Sequence, residues 1–87
     1  MKIFDTAKLS NSEVGFLLDV TRITAYKWRT NRSKPHPVLA ARVRDSMAVI
    51  ERMVASKQLP LAPHLDKETR AAKLDKLKGI IKKYSSA

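Results

Sequence analysis

Apolar residues recur three and four positions apart along most of the chain, a spacing that places side chains on one face of an α-helix. The first such segment begins at Ser10, and Glu13 follows three residues later, which is the spacing of a helix-capping box. The pattern therefore predicts a helix over residues 10–18, with an apolar face formed by Val14, Leu17 and Leu18.

A second short helix is predicted directly after the first. Asp19 stands where the chain should turn, and the hydroxyl of Thr21 can accept a hydrogen bond from the first amides of the next helix. This helix should reach about Thr30, and Asn31 should end it in a left-handed conformation. Its inward side is expected to consist of Val20, Ala25 and Trp28.

Two longer helices are predicted in the second half of the chain. Residues 31–37 contain two prolines and should form a basic loop, and Pro37 is suited to the first turn of a helix reaching about residue 56. The apolar positions that predict this helix are Leu39, Val43, Met47, Ile50 and Val54.

Prolines in residues 59–63 end that helix, and Asp66 can cap a last one over residues 67–84. The last helix should be amphipathic, because lysines face away from its apolar stripe. The stripe consists of Leu74, Leu77, Ile80 or Ile81, and Tyr84, and the lysines are Lys73, Lys76, Lys82 and Lys83.

Because no alternating strand pattern occurs, we expect an all-α fold, a helix-turn-helix bundle of about four to five helices with a C-terminal amphipathic helix. Three segments are predicted along the chain. Residues 1–58 form the helix-turn-helix domain, residues 59–65 form a proline-containing linker, and residues 66–87 form an amphipathic helix for packing or dimerisation.

Charge narrows the class of partner. The chain has 18 Lys and Arg residues against 8 Asp and Glu residues, a formal net charge of +10. A polyanion is therefore the expected partner, with nucleic acid ahead of an anionic membrane. Between Arg22 and Lys34 there are five basic residues and no acidic one. The N-terminus has no apolar run typical of a signal peptide, so we expect a cytoplasmic protein without membrane attachment.

The sequence contains no pattern typical of a disulfide framework, a metal site or a catalytic site. Cysteine is absent, so neither a disulfide nor a thiolate metal site is expected. His36 and His64 lie in proline-containing loops without metal-ligand spacing, and Ser33 and Ser46 lack the His and acid pattern of nucleophilic catalysis. We therefore expect no enzyme activity, no cofactor, no metal and no small-molecule ligand.

The order of residues in the two short helices resembles a known family. Val20-Thr21-Arg22 at the turn, Thr24, Ala25 and Trp28 look like the turn and recognition helix of the phage Cro and CI repressor-like (XRE-type) helix-turn-helix family. The resemblance covers about residues 9–61. It implies that the first helix braces the second, which enters the major groove of DNA with residues 22–30.

Three features depart from the family pattern. Asp19 stands where the family usually has Gly, and Gly15 replaces a more usual Ala while keeping the close approach of the helices. Only nine residues precede Ser10, so the helix that normally comes before the bracing helix is expected to be short or missing. The helix over residues 66–84 is a candidate to complete the core in its place.

The resemblance also implies which side chains meet DNA. Arg22 and Lys27 are expected to donate to guanine O6 and N7, and Ile23 and Tyr26 to meet a thymine methyl group. The full base-reading set is Thr21, Arg22, Ile23, Tyr26, Lys27 and Thr30. Phosphate contacts, which fix register without reading sequence, are expected from Asn11, Arg29, Arg32, Ser33 and Lys34.

The leading expectation is a sequence-specific regulator of transcription, a repressor, that acts as a homodimer on double-stranded DNA. The apolar stripe of either long helix is a candidate dimer interface. One alternative is an architectural or replication-accessory protein that binds DNA with little base selectivity, and another is a protein-interaction module that inhibits the transcription machinery. Structured RNA and a membrane-surface role for the last helix are weaker alternatives, because RNA-binding motifs are missing and the apolar face of that helix lacks Trp and Phe.

Overall fold

Five α-helices form the described part of the chain. The computed structural model describes the backbone of residues 2–86 and the side chains of residues 2–84. The helices are α1 (Lys2–Thr6), α2 (Asn11–Leu18), α3 (Arg22–Arg29), α4 (Pro37–Ala55) and α5 (Lys67–Ser86). Residues 2–86 contain no strand, so the predicted all-α class is confirmed.

The N-terminal helix is present but short, which decides between the two predicted possibilities of a short helix and no helix. α1 has five residues and packs against α4. Phe4 and Ala7 are fully buried, and Leu9 is almost fully buried, so this segment supplies core side chains although it is only about one turn long. The core therefore has an N-terminal contribution in addition to the one from α5.

Local capping explains where α2 begins and ends. The hydroxyl of Ser10 accepts the amide of Glu13 at 3.1 Å, and Glu13 Oε1 accepts the amide of Ser10 at 2.8 Å, which confirms the predicted capping box. Asp19 ends the helix with φ 61° and ψ 43°. Asp tolerates this left-handed conformation better than most residues, so the turn forms without the glycine of the family pattern.

The start and end of α3 also follow the prediction. Thr21 Oγ1 accepts the amide of Thr24 at 3.1 Å. Asn31, with φ 59°, lies just after the helix, as predicted. Only three residues separate α2 from α3, and the two helices pack on each other. We call these two packed helices and their three-residue connection the helix-turn-helix unit.

Gly15 is where α2 comes closest to the turn. A Cβ atom on this residue would lie 2.7 Å from the carbonyl oxygen of Val20 and 3.2 Å from the amide nitrogen of Arg22. Both are backbone atoms, which cannot move aside as the end of a flexible side chain can. Even the alanine of the family pattern would therefore push the start of α3 away from α2.

The core lies between the helix-turn-helix unit and the two long helices, because α5 packs on both α2 and α4. Its members from α2 and α3 agree with the predicted inward faces. The buried apolar residues that follow Ser10 are Val14, Leu17, Leu18, Ala25, Trp28, Val43, Val49, Ile50, Leu59, Leu74, Leu77 and Ile81. The expected division of the chain at residues 58 and 66 stays a prediction.

Two stripe positions differ from the prediction. Leu39 is exposed, because the first turns of α4, with Val38 and Ala41, stand outside the packed layer. On α5, the choice left open between Ile80 and Ile81 falls on Ile81, which is buried. Tyr84 stays half-exposed, and its ring lies 5.2 Å from the guanidinium carbon of Arg52 on α4.

The start of α5 has the predicted cap, since Asp66 Oδ1 accepts the amide of Thr69 at 2.8 Å. Hydrogen bonding from the side chain of Thr69, together with this bond from its amide, lowers the pKa of Asp66, because both favour the charged carboxylate. Within residues 2–86, no helix combines the length and apolar character needed to cross a lipid bilayer.

Candidate nucleic-acid interface

The two sides of α3 differ in burial. Ala25 and Trp28 are buried among the core residues, as predicted. Four side chains on the other side are exposed. Two of them have large apolar parts that are usually buried, and their exposed fractions are 59% for Ile23 and 41% for Tyr26. The outward row, as we call these four, consists of Arg22, Ile23, Tyr26 and Lys27.

The cations of the outward row are not used inside the protein. Within the described residues, neither Arg22 nor Lys27 makes a side-chain hydrogen bond or an ion pair. Both are exposed on a helix that has no acidic residue in its sequence. Their charge is therefore available to a polyanion that approaches α3 from outside.

Two other predicted base-reading residues lie at the ends of α3 with their hydroxyls engaged locally. Thr21 Oγ1 caps the helix and also donates to Thr24 Oγ1 at 2.9 Å. Thr30 Oγ1 donates to the carbonyl oxygen of Tyr26 at 2.9 Å. Both residues are exposed, but each hydroxyl proton already has an acceptor. They remain able to accept hydrogen bonds rather than to donate them.

The start of α2 lies beside the outward row. An open concavity of about 350 Å³ separates them and is lined by Ser10, Asn11, Ser12, Arg22, Ile23 and Tyr26. The first-turn amides and the positive end of the helix dipole favour anions at such a position. Sequence reasoning had included Asn11 but not Ser10 or Ser12. The signal that points to them is their place at the N-terminus of α2.

Arg29 has a structural role that the sequence did not indicate. Its guanidinium donates to the carbonyl oxygen of Leu9 at 2.7 Å, to Asn11 Oδ1 at 3.1 Å and to Asp5 Oδ1 at 2.5 Å. Only 16% of its side chain is exposed. Arg29 therefore joins α3 to α1 and to the start of α2. Three of its five N–H donors are used inside the protein, and its contact with phosphate stays a prediction.

The loop after α3 folds back on the end of that helix. The carbonyl oxygen of Lys27 accepts the amide of Arg32 at 2.8 Å and that of Ser33 at 3.3 Å. The guanidinium carbon of Arg32 lies 5.6 Å from the centre of the Tyr26 ring. Arg32, Ser33 and Lys34 are all exposed. The fold thus brings the predicted phosphate contacts of the loop next to the outward row.

Carboxylates near this surface are each paired with a cation. Asp5 accepts from Arg29, Glu13 lies 2.5 Å from Arg70, and Asp19 lies 3.8 Å from both Lys78 and Arg42. The hydrogen bond from Arg70 lowers the pKa of Glu13, although burial opposes this shift. The acidic groups around α3 are therefore compensated by other cations, and the charge of the outward row is not cancelled.

Comparison of the chain with protein-family models, with curated proteins and with solved structures finds no match. Within residues 2–86, no group of three or more acidic or histidine side chains is placed to hold a metal ion. The character of the surface thus follows from its residues and geometry alone. It combines two free cations, two exposed apolar side chains, a helix N-terminus and a basic loop.

Proposed function

We propose that this chain is a cytoplasmic regulator of transcription that binds double-stranded DNA and inserts α3 into the major groove. The observation that carries the proposal is the outward row, in which Arg22 and Lys27 are exposed, without intramolecular partners, on the helix that α2 braces. The resemblance to the Cro and CI repressor-like family supports the same docking. The proposed protein is a repressor.

The outward row offers two kinds of base contact. Arg22 can donate two parallel hydrogen bonds to guanine O6 and N7, and Lys27 can donate to the same atoms. Ile23 and the ring of Tyr26 offer apolar surface to a thymine methyl group. Thr21 and Thr30 are secondary candidates, because their hydroxyl protons are already donated within the protein. We expect most of the base discrimination to come from Arg22.

Phosphate contacts on two sides of α3 would fix its depth in the groove. Arg32 and Lys34 lie in the loop that follows the helix, and Asn11 lies at the start of α2. A phosphate at this helix start would also meet the positive end of the dipole. Arg29 acts mainly as a positioning residue in this proposal, since it holds the start of α2 against α3.

Dimerisation is part of the proposal, because a helix of eight residues reaches only a few base pairs. Exposed apolar side chains at the start of α4 support it, since Val38 is 78% exposed and Leu39 lies beside it. A symmetric pair would read two half-sites about 34 Å apart.

Selection of bound duplexes from a random pool tests the proposal. We expect a palindromic consensus whose half-sites lie about one helical turn apart. Arg22→Ala should remove the preference at one position of each half-site, which corresponds to about 1–3 kcal/mol of discrimination. Lys83→Ala, on the exposed side of α5, is the control with the same loss of charge. A pool that stays random after selection would contradict sequence-specific regulation.

A less selective mode of binding is the second candidate, and the exposed cations of the loop favour it. Arg32 and Lys34 can hold any duplex through its phosphates. In an architectural or replication-accessory protein, Arg22→Ala would weaken binding to all sequences equally. An inhibitor of the transcription machinery would instead bind random duplex poorly and with little dependence on salt.

A further inference from the structure

A second concave surface lies far along the chain from the outward row. The end of α4 and the turn after it form one side, and the middle of α5 forms the other. This α4–α5 groove has a volume of about 420 Å³. Its lining residues are Met53, Lys57, Gln58, Leu59, Leu61, Lys73, Leu74, Lys76, Leu77 and Ile80.

The groove has an apolar floor that continues into the core. Leu59, Leu74 and Leu77 are buried, with their side chains among the core residues, and Met53 and Leu61 pack against them. Ile80 is different, since 43% of it is exposed. A large aliphatic side chain at the groove is therefore left without cover, and its burial by a partner would be favourable.

The rim of the groove is positively charged. Lys57, Lys73 and Lys76 are exposed, and none of the residues that line the groove is acidic. This arrangement selects a partner with carboxylates beside its apolar groups, because like charges across an interface are costly. A second copy of this chain is a poor occupant of this groove, since a symmetric contact here would bring the two lysine rims together.

The shape of the groove favours a peptide. The residues of α5 that line it run from Lys73 to Ile80, about two helical turns or about 10 Å. This length matches the apolar anchors of an amphipathic helix, which recur at the first, fourth and eighth positions. A small ligand would stay too exposed, because small-molecule sites bury about 70–90% of the ligand surface and this groove is only partly enclosed.

We propose that the α4–α5 groove binds a short amphipathic helix of another protein, one with apolar anchors and flanking carboxylates. The groove and the outward row share no lining residue. The partner and DNA can therefore be bound at the same time, so the groove gives a DNA-bound chain a means of holding a second protein. The interaction does not depend on the proposed DNA-binding function.

Fluorescence anisotropy with two synthetic peptides tests this proposal on the full chain. One peptide has leucines three and four positions apart with glutamates beside them, and the other has lysines in place of the glutamates. The glutamate peptide should bind, and the lysine peptide should not. Lys73→Glu together with Lys76→Glu should weaken binding of the glutamate peptide about tenfold or more. Lys67→Glu together with Lys83→Glu, outside the groove, makes the same change in net charge and should have little effect.

The apolar part of the site is tested by Ile80→Gln, which should weaken the glutamate peptide about tenfold without lowering the melting temperature. Arg22→Ala should leave peptide binding unchanged, so that loss of DNA binding and loss of peptide binding can be told apart. Equal binding of the two peptides, or equal losses in the groove and control variants, would overturn the proposal. A dimer that Ile80→Gln dissociates would identify a second copy as the occupant and would overturn it as well.

Discussion

Two regions of this protein are rich in basic residues, yet they use their charge differently. On α5, Arg70 and Lys78 form ion pairs with the carboxylates of Glu13 in α2 and of Asp19 at the end of α2. On α3 and its loop, no carboxylate faces Arg22, Lys27, Arg32 or Lys34 within the described residues. Arg70 and Lys78 therefore hold helices together, whereas the four cations of α3 and its loop are presented outward.

The difference shows that density of positive charge does not by itself identify a binding surface. Arg70 donates to both oxygens of Glu13, at 2.5 Å from Nε and 3.0 Å from Nη2, and this fixes the start of α5 against α2. Lys78 lies near Asp19 and also 4.4 Å from the centre of the Phe16 ring. What separates the two regions is therefore the position of the acidic residues, which come from other parts of the chain.

The largest expected effect on stability comes from removing the main contact of α3 with the core. Trp28→Ala should cost about 3–5 kcal/mol of unfolding free energy, because it leaves a large cavity beneath α3. The free energy of unfolding of a domain of this size is small, so the variant should be largely unfolded. Tyr26→Ala, on the outward row, should change the melting temperature only slightly. Equal melting temperatures for Trp28→Ala and the unchanged chain would contradict the core role of Trp28.

Trp28 also illustrates what the sequence could predict. Its inward position follows from its spacing to Ala25, and the starts of α2 and α3 follow from caps that act within three residues. Such signals are local, so helix type and most boundaries were predictable. The prediction left open whether a short helix or none precedes Ser10, and it did not include the buried Phe4.

Contacts between distant residues were not predictable in this way. Arg70 and Glu13 are 57 positions apart, and no local pattern pairs them. The same holds for Arg29, whose partners at Leu9 and Asp5 become neighbours only when α1 is placed. The exposed side of α3 needed only helix periodicity, and its base-reading role was implied by the family resemblance, whereas the internal partners of each cation depended on the tertiary fold.

A second variant pair sharpens the comparison within α3 itself, where Arg22 and Arg29 have the same chemistry but different surroundings. Arg29→Ala should cost about 1.5–3 kcal/mol of unfolding free energy, because it removes three hydrogen bonds from a charged donor. Arg22→Ala should change stability by no more than about 0.5 kcal/mol, as expected for an exposed residue without such bonds. Urea unfolding of both variants measures the difference. If Arg22→Ala proved the more destabilising, the assignment of the two roles would be wrong.

The smallest expected effect concerns the tie between α5 and α2. Glu13→Gln should cost about 1–2 kcal/mol at neutral pH, because the uncharged amide has one acceptor oxygen instead of two, so one bond from Arg70 is lost and the other is weakened. The hydrogen bond from Arg70 lowers the pKa of Glu13 below its ordinary value of 4.5, so the folded state favours the carboxylate. The stabilisation is therefore complete well above pH 4.5 and is lost as the pH falls through the lowered pKa.

Urea unfolding across this pH range measures the effect. The free energies of unfolding of the original chain and of Glu13→Gln should become equal in acid. Asp75→Asn, at an exposed position on α5, is the control, and its free energy of unfolding at neutral pH should equal that of the original chain. A gap between the original chain and Glu13→Gln that stays constant down to strongly acidic pH would show that Arg70 holds α5 without help from the charge of Glu13.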